Sequence, residues 1–236
     1  MIDSPDKLFM GVTATTGQNR YTYAVFSESR NLITINHNTQ RNFLDFLRLL
    51  NKCIIAVNLP SQLHHFITTF GKPQQNMLPI NLAQAVSRKT KLPGWYQKYR
   101  RFIQLLEQSG VKPFESNEAS RQWISSSSEL CYQQLLTTSL YLSRSIEGRI
   151  QRQLFIYNLG LKVPDPMTFF EEITRHRILN GKLNYDSILS QPELDAIILA
   201  YTAWLYANEP DRILIVHTTD MEKIILPISI STSSQH

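Results

Sequence analysis

Two cysteines in 236 residues are too few for a disulfide framework. Cys53 and Cys131 lie far apart, each beside apolar residues, and neither sits at a metal-ligand spacing. They read as buried free thiols of a protein in a reducing, cytoplasmic setting. No apolar run approaches the roughly 20 residues that cross a bilayer, so no membrane partner is expected. The opening stretch MIDSPDKLFM is acidic and lacks the apolar segment of a secretory signal. Gly-rich loops of the Walker type are missing. Ser, His and Asp occur without the nucleophile-elbow pattern of a hydrolase. His64 and His65 are adjacent and would diverge on a helix, while His176 and His217 have no ligand-spaced neighbour. The histidines therefore read as surface or packing residues. There is no internal repeat.

The residues that are present describe an ordinary globular protein. The apolar share is 42% and the charged share 18%, which argues against disorder. The length suits one α/β domain over 1–236. A formal charge of +5 favours an anionic partner, with nucleic acid the candidate; the alternative is a basic surface that merely faces water.

Hydrophobic periodicity divides the chain. LFMGVTA, RYTYAVFSE and NLITINH are short and rich in β-branched and aromatic residues, separated by turn-like TGQN and SRN, and predict an antiparallel meander. NTQRNFLDFLRLLNK places Phe43, Phe46, Leu47 and Leu50 at helical spacing behind Asn38 or Thr39 as N-cap. CIIAVNLP reads as a strand buried on both faces, and the preceding helix lets it pair parallel to the first strand. GKPQQNMLPIN is a loop. LAQAVSRKTKLPGWYQKYRRFIQLLEQSG predicts two helical pieces broken at Pro93-Gly94. ASRQWISSSSELCYQQLL predicts a short strand and then a helix from about Glu129.

The last third is mostly helical. IEGRIQRQLFIYNLG stops at Gly160. PDPMTFFEEITRHRILNG predicts one helix with Asp165 as N-cap, Pro166 in its first position and Gly181 past its end. SQPELDAIILAYTAWLYANEP opens with a capping box of Ser190 and Glu193. DRILIVHTTDMEKIILPISI reads as two strands around TTDME.

EGRIQRQLFIYNLGLKVPDPMTFFEEITRHRILNGKL, then ELDAIILAYTAWLYANEP and the closing EKIILPI resemble the predicted ribonuclease H-like nucleases of a large bacterial and archaeal domain family. GVTATTG falls where that family has Gly, an apolar residue and Asp before a Thr- and Gly-containing loop. AVNLP falls where it has a strand ending in Asp or Asn, one residue before Pro. The resemblance is carried by 147–227 and by the two N-terminal strands, and little by 61–143. It implies an α/β fold with a ribonuclease H-like mixed sheet: three antiparallel strands, then strands parallel to the first. Helices on both faces and a helical C-terminal half complete that fold. It also implies that acids gather at one end of the sheet, where paired metal ions cut a phosphodiester.

Carried over residue by residue, the first-strand acid falls on Thr13 and the second on Asn58. A family Glu on the middle strand falls within the serine run 125–128. Only the helix acid persists, as Asp195, with Glu193 beside it as a second catalytic candidate. Thr13, Asn58 and Asp195 are expected to converge at one end of the sheet. The capping role explains Glu193 without any chemistry, and the dipole at a helix start accounts for Asp195 equally well. Arg149 and Arg152 share a helix face and suit phosphate binding, or pairing with Glu171 or Glu172; Glu171 and Arg175 are themselves spaced for a helix-surface pair. Arg88, Lys89, Lys91, Lys98, Arg100 and Arg101 interleave with Trp95, Tyr96 and Tyr99. That pattern suits phosphate contact with base stacking, or an amphipathic helix with its aromatics in the core.

The sequence thus reads as a degenerate member of a predicted nuclease family, catalytically inactive, without a cofactor, retaining nucleic-acid or partner binding. One alternative is an active nuclease using Mg²⁺ or Mn²⁺. Another is an interaction protein with no nucleic-acid role.

Overall fold

β-branched and aromatic residues draw the first third of the chain into three strands, β1 (Leu8–Thr15), β2 (Arg20–Phe26) and β3 (Leu32–Thr39). In the computed structural model, which describes residues 7–15, 20–60, 94–117, 120–136, 138–172, 175–182, 185–217 and 223–229, they pair as the expected antiparallel meander. Thr39 then caps α1 (Gln40–Leu49), its hydroxyl accepting from the Asn42 amide at 3.4 Å. Phe43 and Leu47 are the buried face of that helix. It returns the chain to β4 (Cys53–Asn58), which lies parallel to β1 with Ala56 beside Gly11.

The remaining elements are α2 (Gly94–Gln108), β5 (Lys112–Pro113), β6 (Arg121–Ser126), α3 (Ser128–Leu135), α4 (Ile146–Asn158), α5 (Thr168–Glu172), α6 (Arg175–Leu179), α7 (Gln191–Asn208), β7 (Ile213–His217) and β8 (Lys223–Pro227). The strands form one mixed sheet in the order β3-β2-β1-β4-β6-β8-β7, with the short β5 beside β6. β1, β4, β6 and β8 run parallel, and β7 closes the edge antiparallel to β8.

One expectation changes, the start of the helix expected over 165–181. Asp165 caps a turn, its carboxylate accepting from the Met167 amide at 2.9 Å, and regular helix begins only at Thr168. Helix is present again over Arg175–Leu179, and residues 173–174 lie outside the described residues. In the basic aromatic stretch, α2 opens at Gly94, and the helical piece predicted before Pro93 lies outside the described residues.

Side chains alternate across the sheet, so each face has its own cover. Tyr21 and Tyr23 face α1 and α2: Tyr21 stacks on Phe43 at 5.4 Å and on Phe102 at 4.6 Å between ring centroids. Gly11, Thr13, Ala56 and Asn58 face α7 on the other side, since Gly11 touches that helix and the paired positions share its face. From Leu194 to Ala203 every residue of α7 is buried, as befits a helix packed on a sheet and overlain by others. Cys53 and Cys131 are both buried and unpaired, as the sequence implied. Among the described residues no helix is long and apolar enough to cross a membrane.

Glycine at position 11 has a specific cause. A Cβ there would collide with the Ala196 carbonyl, the Ala200 amide and the Leu199 side chain. Two of those obstacles are helix backbone, which cannot swing aside. Gly11→Ala is therefore expected to destabilise the fold by about 3 kcal/mol or more, above the usual range for overpacking. Urea melts of the parent and the variant measure it, and a loss under about 1 kcal/mol would mean that α7 can retreat from β1 at little cost.

Candidate functional site

The parallel strands all end at the same edge of the sheet. Thr13 near the end of β1, Asn58 at the end of β4 and Ser128 at the start of α3 meet there. The Asn58 amide donates to the Thr13 hydroxyl at 3.1 Å, and the Ser128 backbone amide donates to Asn58 Oδ1 at 3.1 Å. The Ser128 side chain adjoins the Asp195 carboxyl and favours its ionised form, and Gln191 Nε2 approaches Asp195 Oδ2 at 3.5 Å. The three positions expected to converge do so, through Ser128 as the link. Asp195 lies beyond the first turn of α7, so the dipole explanation for its placement weakens.

Asp195 is buried, and burial pushes its carboxyl up to about 7 from 3.8. The Glu129 charge adds to the rise; Ser128, Arg152 and Gln191 oppose it. Glu129 escaped the sequence reading. Its partner is Arg152, fully buried, whose Nη2 meets both Glu129 oxygens at 3.1 and 2.9 Å. Nη1 of the same guanidinium donates to the carbonyls of Tyr141 and Gly148, each at 3.0 Å, and the group stands 5.3 Å from the Tyr132 ring centroid. The available signal was the acid at the start of a serine-capped helix. Nothing local tied it to an arginine 23 residues away.

Glu193 does not face a ligand either. Its Oε2 accepts from the Ser190 amide at 2.7 Å and the Ser190 hydroxyl at 2.6 Å, the capping box read from the sequence. Its Oε1 meets His37 Nε2 at 3.1 Å, and His37 Nδ1 meets the Thr22 hydroxyl at 2.9 Å. Burial works to raise the Glu193 carboxyl, but the bonds from Ser190 and His37 outweigh it and the net shift is downward. The Thr-His-Glu chain has the connectivity of a nucleophile, base and orienter. Thr22 is wholly buried, however, so no substrate reaches its hydroxyl. The chain instead ties β2 and β3 to the start of α7.

Each serine of the run 125–128 has a separate task. Ser125 shares a 2.6 Å bond with the Tyr99 hydroxyl on the α2 side. Ser126 donates to the Ile225 carbonyl at 2.7 Å and lies 3.3 Å from Cys131 Sγ. Ser127 caps α3, and Ser128 joins Asn58 to Asp195. Among the described residues no group of three His, Cys, Asp or Glu could hold a metal ion.

The cations expected to touch substrate divide into two sets. Arg149 spends its guanidinium on the carbonyls of Leu189 and Ile188, both at 2.8 Å, fastening α4 to the turn that enters α7. Arg152 is committed to Glu129. Neither guanidinium is presented to a phosphate; the side chains of Glu171, Glu172, Arg175 and His176 lie outside the described residues. Lys98, Arg100 and Arg101 are exposed along α2, whereas Tyr96, Tyr99 and Phe102 are buried. Tyr96 and Tyr99 thus pack in the core and do not stack on bases, while the cations face water. Arg88, Lys89, Lys91, the Trp95 side chain, His64, His65 and the His217 side chain lie outside the described residues.

Comparison with known families, with characterised proteins and with solved structures finds no match.

The titration of Asp195 has a signed consequence. Between about pH 4 and 7 the folded protein holds a proton that the unfolded chain has released, so this group lowers stability progressively as pH rises through that window. Asp195→Asn removes the penalty. Each tenfold difference in proton affinity between the folded and unfolded chain is worth about 1.4 kcal/mol, so the variant is expected to be more stable than the parent by about 1–4 kcal/mol at pH 8 and equal to it at pH 4. Denaturant melts of both proteins at the two pH values give the difference. A variant less stable at pH 8 would mean that the ionised carboxylate is held by partners stronger than those described.

Proposed function

We propose that the chain is a ribonuclease H-like protein that has lost its metal site and binds nucleic acid without cutting it. The observation that carries this reading is the hydrogen-bonded contact of Asn58 with Thr13 and Ser128. Paired divalent cations on a phosphodiester need several anionic oxygens. Here the strand ends offer a hydroxyl and an amide already bonded to one another. Of the two acids Asp195 and Glu129, Asp195 favours its protonated form up to about neutral pH and Glu129 is paired with Arg152. The order of antiparallel and then parallel strands agrees with the ribonuclease H-like arrangement. The exposed cations of α2 supply the binding side of the argument. Tyr99 bonds Ser125 near the end of β6, so the half of α2 bearing Lys98, Arg100 and Arg101 lies toward the same end of the sheet as Thr13.

A metal-dependent nuclease is favoured by one feature, the closeness of Glu129 to Asp195. Cleavage assays with Mg²⁺ and Mn²⁺ on single-stranded, duplex and hybrid substrates decide it. No cleavage is expected, and robust cleavage abolished by Asp195→Asn would overturn the proposal.

Binding has its own readout. Affinity for an oligonucleotide should fall steeply with salt, because each neutralised phosphate releases a counterion. Replacing Lys98, Arg100 and Arg101 together by Ala is expected to reduce the slope of log K against log salt by about 2. Salt-independent binding, or none, would favour an interaction protein without a nucleic-acid role.

A third test asks whether the site is vestigial. Thr13→Asp with Asn58→Asp places three carboxylates together, and their repulsion should destabilise the metal-free protein by about 1–3 kcal/mol. Millimolar Mn²⁺ should then raise the melting temperature of the double variant and leave the parent unchanged, since a cation bound only to the folded form stabilises it by mass action. Equal responses would remove the vestigial-site argument.

A further inference from the structure

The loop 138–145 leads into α4 and presents two large side chains to solvent: Tyr141 is 61% exposed and Leu142 82%. Its backbone is nonetheless fastened at every turn. The Tyr141 amide donates to Gln151 Oε1 at 3.0 Å, and Gln151 Nε2 donates to the Ser139 carbonyl at 2.9 Å. The Tyr141 carbonyl accepts from Arg152 at 3.0 Å. The Leu142 carbonyl accepts from both the amide and the hydroxyl of Ser145, each at 3.0 Å. Gly148 lets the loop lie flat on α4, because a Cβ there would collide with the Leu142 carbonyl. An exposed loop held this firmly displays its side chains at a low ordering cost on binding.

The position of the loop is equally specific. The guanidinium that holds the Tyr141 carbonyl also holds Glu129, the acid whose charge acts on Asp195. Tyr141 is thereby tied through Arg152 to Glu129, next to the Ser128 that bonds Asn58 at the strand ends. Arg144, exposed, follows three residues later. The α2 cations lie toward those strand ends from the opposite face of the sheet.

Resting on the nucleic-acid reading above, we propose that loop 138–145 is a stacking ledge for an unpaired base of a single-stranded nucleic acid. Tyr141 is the stacking ring and Arg144 the adjoining cation. The backbone of the strand would cross the mouth of the sheet, with its phosphates toward Lys98 and Arg101. Every base has a π-face, so the contact tolerates sequence and demands single strands.

The test uses the full chain and three probes by fluorescence anisotropy: a labelled oligothymidylate, an abasic oligomer of equal length, and a duplex. The proteins are the parent, Tyr141→Ala, Tyr141→Phe and the triple α2 variant. Tyr141→Ala is expected to weaken oligothymidylate binding about tenfold and Tyr141→Phe to restore it, as alanine substitution at stacking platforms does. The salt slope should not change, because no phosphate contact is lost. The abasic oligomer should bind weakly and ignore position 141. Unchanged melting temperatures would show that the exposed ring was not needed for folding. Equal binding of thymidylate and abasic oligomers by all position-141 variants, with the α2 effect intact, would overturn the ledge and leave nucleic-acid binding standing. No binding of any probe would remove both. Sedimentation in which Tyr141→Ala converts a dimer to a monomer would assign the ledge to a second copy of the chain and overturn the proposal.

Discussion

The close contact between β1 and α7 is the constraint on which the rest of the protein depends. It exists because position 11 carries no side chain, so helix backbone rests directly on strand backbone. That contact sets the height of α7 above the sheet, and the height decides what Asp195 can reach. With α7 this low, the carboxyl meets Ser128 and, through it, Asn58 and Thr13. The His37 bridge to Glu193 and the Tyr132 hydroxyl bond to the Leu194 carbonyl, at 2.9 Å, secure the same end of the helix from two sides. At the far end the Trp204 indole donates to the Glu28 carbonyl at 2.8 Å. The helix is thus pinned along its length, and the site is a by-product of that pinning.

The chemistry at the strand ends follows from which groups share the space. An acid taken out of water by burial and crowded by a second carboxylate favours its neutral form, even with a hydroxyl and an amide beside it. A cation site needs the reverse arrangement, with several ionised groups held apart only by the ion. The buried Arg152 brings a positive charge close by, directed at Glu129 and at two backbone carbonyls. Its Nε is buried without a partner, so the guanidinium falls one bond short of full satisfaction. Such a group costs stability and holds its neighbours in fixed positions.

Features of the fold encoded within a few residues were legible in the sequence. The Ser190–Glu193 capping box, the Thr39 cap and the stops at Gly160 and Gly181 depend on neighbours three or four positions away. The parallel return of β4 to β1 followed from the single helix between them. The meeting of Thr13, Asn58 and Asp195 was expected from the sequence, but no local spacing encodes it. Features that depend on distant partners were hidden. Glu129 and Arg152 identify each other only once α3 and α4 are side by side. Arg149 looked like a surface cation until the turn before α7 offered its carbonyls. In α2, spacing alone left Tyr96 and Tyr99 either in the core or on a binding face, and the contacts of that helix with Tyr21 and Ser125 of the sheet and Phe43 of α1 settle which. The serine run looked uniform, yet the four hydroxyls alternate between opposite faces of a strand and then turn into a helix.

The two thiols carry a further consequence. Cys53 begins β4 and Cys131 sits in α3, hydrogen-bonded between Ser126 and Thr202. Burial pushes the first up to about 12 and the second up to about 11, so neither presents an appreciable thiolate while the protein is closed. Alkylation of either must wait for the chain to open around it. The chain thereby carries two internal clocks, one on the central sheet and one on the layer that covers the site. If they run at the same rate, sheet and cover separate as a single cooperative unit; if the α3 clock runs faster, the cover lifts while the sheet stays intact.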